Sequence, residues 1–103
     1  MIEKKVIIDF LSELKPELKK DGIVAIGLFG SYASKKNTVY SDIDIAIKKE
    51  NGYLFTHSPY DYFETVAKLR STLMHQFHRN IDIFDLDSSS SLKSTIEREL
   101  VYV

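Results

Sequence analysis

Ile23-Val24-Ala25-Ile26-Gly27-Leu28-Phe29-Gly30-Ser31 and, after residues 32–41, Asp42-Ile43-Asp44-Ile45-Ala46-Ile47 decide how this chain folds. The first stretch runs apolar without a break from Ile23 to Phe29, the pattern of a central strand covered on both faces. It stops at Gly30-Ser31, where Tyr32 to Tyr40 read as a short helix followed by a loop. The second stretch alternates. Successive side chains of a strand point to opposite faces, so Asp42, Asp44 and Ala46 share one face while Ile43, Ile45 and Ile47 enter the core.

Working outward, Val6, Ile7, Phe10, Leu11, Leu14 and Leu18 recur at helical spacing, with Pro16 expected to break or kink the helix. Asn51-Gly52 signals a turn, and Tyr53-Leu54-Phe55 reads as a short edge strand. Ser58-Pro59-Tyr60-Asp61 is a helix start, with Ser as cap, Pro in the first turn and an acid three residues after the cap. Phe63, Val66, Ala67, Leu73, Met74 and Phe77 continue it, and His78 and Arg79 fall near its end, where the dipole favours positive charge. Ile81-Asp82-Ile83-Phe84 is a further strand. The serines from Ser88 to Ser91 cap a last helix through Leu92, Ile96 and Leu100, and Val101 to Val103 close as a strand. Strands alternating with helices predict an α/β or α+β fold, a mixed sheet covered by helices.

The 103 residues hold 14 Lys and Arg against 15 Asp and Glu, a net charge of −1, with 44% hydrophobic residues and no cysteine. That is material for one core, so a single domain over residues 1–103 is expected, without a separate substrate-binding domain. The missing thiol excludes a disulfide framework, a cysteine nucleophile and cysteine zinc sites, and leaves His57, His75 and His78 as nitrogen ligands. A reducing cytoplasm fits. No apolar stretch reaches the roughly 18 residues of a spanning helix, so no membrane association is expected. The near-neutral charge argues against direct nucleic-acid binding, which draws on a basic excess.

Chemistry concentrates on acids where apolar strands would not want them. Asp42, Asp44 and Asp82 must be paired, solvated or metal-bound, because an isolated buried charge is too expensive. Residues two apart on a strand lie roughly 6.5 Å apart at Cα, so two such carboxylates can converge on a pair of metal ions, with a neighbouring strand supplying a third. Oxygen ligands on a rigid sheet suit Mg²⁺. At Gly30-Ser31, glycine lets a phosphate approach the backbone, and serine offers a hydroxyl beside free helix N–H groups.

From Leu28-Phe29-Gly30-Ser31-Tyr32-Ala33 to Ser41-Asp42-Ile43-Asp44-Ile45-Ala46-Ile47, the chain resembles the polymerase-β-like nucleotidyltransferases. Ile81-Asp82-Ile83 is similar to their third-carboxylate strand, and Ile96-Glu97-Arg98-Glu99-Leu100-Val101-Tyr102 to the ends of the smallest members, the minimal nucleotidyltransferases (MNT). Ser34-Lys35 departs from the Arg-Gly that many of them carry. The resemblance implies a polymerase-β-like core in which Asp42, Asp44 and Asp82 are catalytic and hold two Mg²⁺ ions, while Gly30 and Ser31 bind ATP. It further implies AMP transfer to a hydroxyl, a tyrosine of a HEPN-family toxin, with this chain as the antitoxin in a hetero-oligomer. Transfer to a small molecule such as an aminoglycoside, and a non-catalytic binding module, are the alternatives.

Each residue also has a plainer reading. Asp42 and Asp44 could solvate a strand end, Asp85 or Asp87 could replace Asp82, and Lys35 and Lys36 suit a solvated pair. A calcium loop does not fit, since the glycine and glutamate it needs are absent. His75 and His78 lie three apart on a helix with no third ligand in view.

Overall fold

A computed structural model describes residues 2–103. The first amphipathic segment forms α1 (Lys4–Lys20), burying Ile7, Leu11 and Leu18. Pro16 does not end it. Proline removes the donor for the Ser12 carbonyl, but Ser12 and Pro16 both lie on the exposed face, so water serves the freed carbonyl. The chain then enters β1 (Ile23–Phe29), passes through the single-turn helix α2 (Gly30–Ser34) and returns as β2 (Ile43–Lys49).

The sheet runs β3-β2-β1-β4, where β3 is Ile81–Asp85 and β4 is Val101–Tyr102. β1 is antiparallel to β2 and to β4, while β2 and β3 are parallel. Interior placement of β1 matches its apolar run, although its first half is less covered than expected: Val24 is 48% exposed. β4 pairs with Gly27 and Leu28, and the Val103 N–H donates to the Ile26 carbonyl at 3.1 Å just beyond them. Gly27 is needed at this crossing, since a Cβ there would lie 2.8 Å from the Val101 carbonyl oxygen.

Alternation in β2 works as the spacing requires. Ile43, Ile45 and Ile47 are fully buried in the larger core, with Ile7 and Leu11 of α1 and with Leu69, Leu73 and Phe77 of α4 (Pro59–Phe77). Ala46 is fully buried on the opposite face against Leu86 and Ile96, the latter from α5 (Lys93–Glu99). The alternation thus fills two cores.

Three local expectations change. Tyr53-Leu54-Phe55 is not an edge strand but part of α3 (Tyr53–Thr56), which follows the left-handed Gly52. Both edges of β2 are already taken by β1 and β3, and the Tyr53 ring is buried, stacked on His57 and edge-on to Tyr62. In α4 the inward face is Tyr62, Val66, Leu69, Leu73 and Phe77, whereas Phe63 is 70% exposed and Ala67 and Met74 face outward. At α5 the cap position is Leu92, and Ser90 contributes by accepting the Leu92 N–H.

The start of α4 forms as its sequence dictates. Ser58 Oγ accepts the Asp61 N–H at 3.1 Å, the Asp61 carboxylate accepts the Ser58 N–H at 2.8 Å, and Pro59 opens the first turn. Removing such a cap costs about 1 kcal/mol. Ser58→Ala is therefore expected to lower the thermal midpoint by roughly 4–8 °C, measured by circular dichroism.

Candidate active site

Strand register brings the acids together. Phe29 of β1 pairs with Asp44 of β2, and Asp44 pairs with Asp82 of β3, so the three form one row across the sheet. The next row on that face is Gly27, Ala46 and Phe84, of which Ala46 and Phe84 belong to the smaller core. The carboxylates therefore begin where apolar cover ends. Asp42 lies one residue before β2, in the same alternation as Asp44. The loops entering β2 and β3 are tied by the Ile43 N–H, which donates to the Asn80 carbonyl at 2.9 Å.

Asp44 lies against the start of α2. Gly30 has φ +73°, and a Cβ built on it would sit 3.0 Å from Asp44 Cγ and press on the carboxylate itself. Glycine is required here twice over, for the left-handed backbone and for the close approach. Ser31 follows at the second position of α2. Four of the residues singled out in the sequence, Gly30, Asp42, Asp44 and Asp82, thus meet at one end of the sheet, with Ser31 adjoining.

The electrostatics mark a place for positive charge. Burial, followed by the negative charges of Asp82 and Asp42, pushes the Asp44 carboxyl up to about 6. Among the described residues, no Lys, Arg or His forms an ion pair with any of the three acids. Nor do any three His, Asp or Glu side chains there close around one ion. Mg²⁺ does not ask for that: it is commonly held by one or two carboxylates, with substrate phosphates and water completing the shell. An acid cluster without an ion-pair partner among the described residues fits such an ion.

The rival acids are spent elsewhere. Asp85 pairs in register with Ile47, at the far end of β2, where it binds Lys49 Nζ at 2.6 Å. Asp87 stands 3.4 Å from the same ammonium and accepts the Lys49 N–H. The His75 and His78 rings are tilted, 6.4 Å apart, and join no metal-binding group among the described residues. Lys35 is an exposed left-handed cap to α2, with φ 63°.

Two neighbours went unread in the sequence. Tyr40 and Arg79 line a cleft of about 540 Å³ with Asp42. The closeness of Arg79 to Asp82 along the chain was the one available signal; as a residue after a helix it read as a dipole partner.

The raised Asp44 carboxyl has a consequence for stability. A carboxyl whose folded value lies above its unfolded one stabilises fully below about pH 4, and that contribution is lost as pH rises through about 6. Asp85 works in the opposite sense, because Lys49 holds its carboxyl below the usual range against the effect of burial. The difference between wild type and Asp44→Asn isolates the first group. In EDTA, Asp44→Asn is expected to be more stable above pH 6 by about 1 kcal/mol, after allowance for solvent screening, with the gain vanishing near pH 4 in urea titrations.

A row of carboxylates beside a Gly-Ser helix start thus stands at one end of the mixed sheet. A family model described as polymerase β nucleotidyltransferase matches residues 12–102. Two proteins of Methanocaldococcus jannaschii, each named "Putative protein adenylyltransferase", are similar to this chain. One is 30% identical over 103 residues, covering 92% of each chain. The other is 34% identical over 104 residues, covering 90% of this chain and 97% of its own length. A solved structure described as a "putative minimal nucleotidyltransferase" matches with a TM-score of 0.72 at 20% identity, over 97% of this chain and 95% of that one, a likeness of fold. A crystal structure of a toxin-antitoxin with AMP-PNP matches with a TM-score of 0.58 at 26% identity, over 98% of this chain and 72% of that one. The chain belongs to the polymerase β nucleotidyltransferase family. It is an enzyme of that class, on a four-stranded mixed sheet with helices.

Proposed function

We propose that this enzyme transfers AMP from ATP to a hydroxyl of a partner protein, a tyrosine of a HEPN-family toxin, and so acts as that toxin's antitoxin. The observation that carries the reading is Asp44, set against Gly30 and beside two further carboxylates, with no ion-pair partner among the described residues. The names of the two relatives support the transfer chemistry. The toxin-antitoxin solved with AMP-PNP supports both the nucleotide and the kind of partner. No helix among the described residues is long and apolar enough to cross a membrane, and a cytoplasmic hetero-oligomer is part of the proposal.

In this reading Gly30 and Ser31 receive the outer phosphates, the backbone N–H groups and the Ser31 hydroxyl donating to phosphate oxygens. Asp42, Asp44 and Asp82 would hold two Mg²⁺ ions, which when bound supply positive charge against the triphosphate and the reacting phosphorus. The acceptor oxygen bonds to the α-phosphorus, the bond from that phosphorus to the bridging oxygen breaks, and pyrophosphate leaves. Asp82, exposed at the edge of the row, accepts the proton from the attacking hydroxyl. A phenol with an ordinary pKa of about 10 needs such help at neutral pH.

The partner encoded by the adjacent reading frame is the acceptor to test. Incubation with Mg²⁺ and ATP should label it from α-labelled but not from γ-labelled nucleotide. Labelling from the γ position, or none with partner present, would overturn the reading.

A further inference from the structure

The cleft beside Asp42 lies between the loop entering β2 and the end of α4, and its walls do not resemble a phosphate site. Tyr40 is 91% exposed, and Met74, the αL residue His78, Arg79 and Asn80 stand across from it. The lining is half apolar and half polar, and its volume of about 540 Å³ admits a large side chain. Asp42 belongs to both the cleft and the acid cluster, so a group seated in the cleft reaches the carboxylates directly.

Tyr40 is held in place although nothing covers it. Ser41 Oγ accepts the Thr38 N–H at 2.8 Å, Thr38 Oγ1 accepts the Tyr40 N–H at 3.2 Å, and the Thr38 carbonyl accepts the Ser41 N–H at 3.1 Å. A hydrogen-bonded turn thus presents a bare aromatic ring, so the backbone that carries it has little freedom left to lose when something docks on it. Across the cleft, Arg79 Nη1 donates to the His78 carbonyl at 3.0 Å, while its Nε is buried with no hydrogen-bond partner. Among the described residues the guanidinium has no carboxylate partner. A guanidinium without an acid partner keeps donors for a ligand oxygen.

We propose that this cleft is the acceptor subsite, in which Tyr40 and Met74 hold the acceptor's aromatic ring and Arg79 holds a main-chain or carboxylate oxygen flanking it. Tyr40 and Arg79 are then specificity-determining and positioning residues, and the ring's hydroxyl is directed at Asp42 and the acid row. The inference rests on the proposed AMP transfer and assigns the nucleotide to the other side of the acids, at Gly30 and Ser31. Stacking on Tyr40 uses the ring and not its hydroxyl. The guanidinium suits an oxygen pair better than an ammonium does, because its donors are fixed in a plane.

The test is steady-state AMP transfer to the partner expressed from the adjacent reading frame, with KM for partner and for ATP measured separately. Tyr40→Ala and Arg79→Ala are each expected to raise the partner's KM at least tenfold and to leave the KM for ATP within about twofold. Tyr40→Phe should behave as wild type, and Arg79→Lys should recover part of the loss. A rise confined to the KM for ATP would reassign the cleft to the nucleotide and overturn the proposal, as would unchanged constants in Tyr40→Ala. Tyr40 is so exposed that its removal leaves the fold intact, which keeps the test valid should Arg79→Ala unfold. Absence of transfer by the wild type would overturn the parent reading alone. Calorimetric titration of the partner into wild type and Tyr40→Ala then decides the cleft: weaker binding by the variant supports it, and equal binding overturns it.

Discussion

Asp44→Asn is expected to lower AMP transfer by on the order of 10³-fold, with the fold retained and, in EDTA, stabilised. Loss of one carboxylate from the proposed metal-holding pair would remove several kcal/mol of transition-state stabilisation, at about 1.4 kcal/mol per factor of ten. Asp42→Asn should lose a comparable amount. The stability gain separates a catalytic role from a structural one. Asp44 is a carboxyl whose charge the fold disfavours, pushed up to about 6 by burial and by Asp82 and Asp42. Asparagine keeps the shape and removes the charge. A residue kept for folding would show the reverse, a falling thermal midpoint together with falling activity. Mg²⁺ should raise the midpoint of the wild type at pH 7.5 and leave that of Asp44→Asn unmoved, since a ligand stabilises only the state it binds.

The second large effect is expected at Gly30. Gly30→Ala places a Cβ 3.0 Å from Asp44 Cγ and against the carboxylate, in a backbone with φ +73°. Left-handed backbone costs a residue with a side chain roughly 1–2 kcal/mol, so the midpoint should drop by several degrees. The larger consequence is for chemistry. A carboxylate moved by about 1 Å can cost on the order of 100-fold in rate. Transfer by Gly30→Ala should fall by at least that much, while Ser31→Ala, which loses one hydroxyl and moves no carboxylate, should lose less. Comparable losses in the two variants would contradict the placement of Gly30 under Asp44.

These residues were legible in the sequence because their arrangement is local. Alternation along Asp42 to Ile47 assigns faces within a single strand, and Gly30-Ser31 follows an apolar run too plain to misplace. Asp82 was legible by the same logic, an acid between two isoleucines whose burial on the opposite face turns it outward. What failed depended on distant neighbours. Three residues, Tyr53 to Phe55, are too few to tell a period of two from one of 3.6, and the decision fell to β1 and β3, which already flank β2. In α4, apolar residues occur on more than one side, so Phe63 and Met74 looked as eligible for the core as Leu73, and Leu69 was passed over. The position of the helix over the sheet chose among them.

The proton affinity of Asp44 and the Asp42 cleft belong to the same class. Neither exists until β3 lies parallel to β2 in register, with Ile43 bonded to Asn80. Arg79 illustrates the limit. Read along the chain it follows a helix, and only the folded loops place it in one cleft with Tyr40 and Asp42.

Intact-mass measurement of the partner, co-expressed from the adjacent reading frame, tests AMP transfer to a protein most directly. Partner made with the wild-type enzyme should be heavier by one or more AMP units, and partner made with Asp44→Asn should be unmodified. A partner that is neutralised by the wild type yet unchanged in mass would contradict adenylylation and leave binding alone as the mode of action.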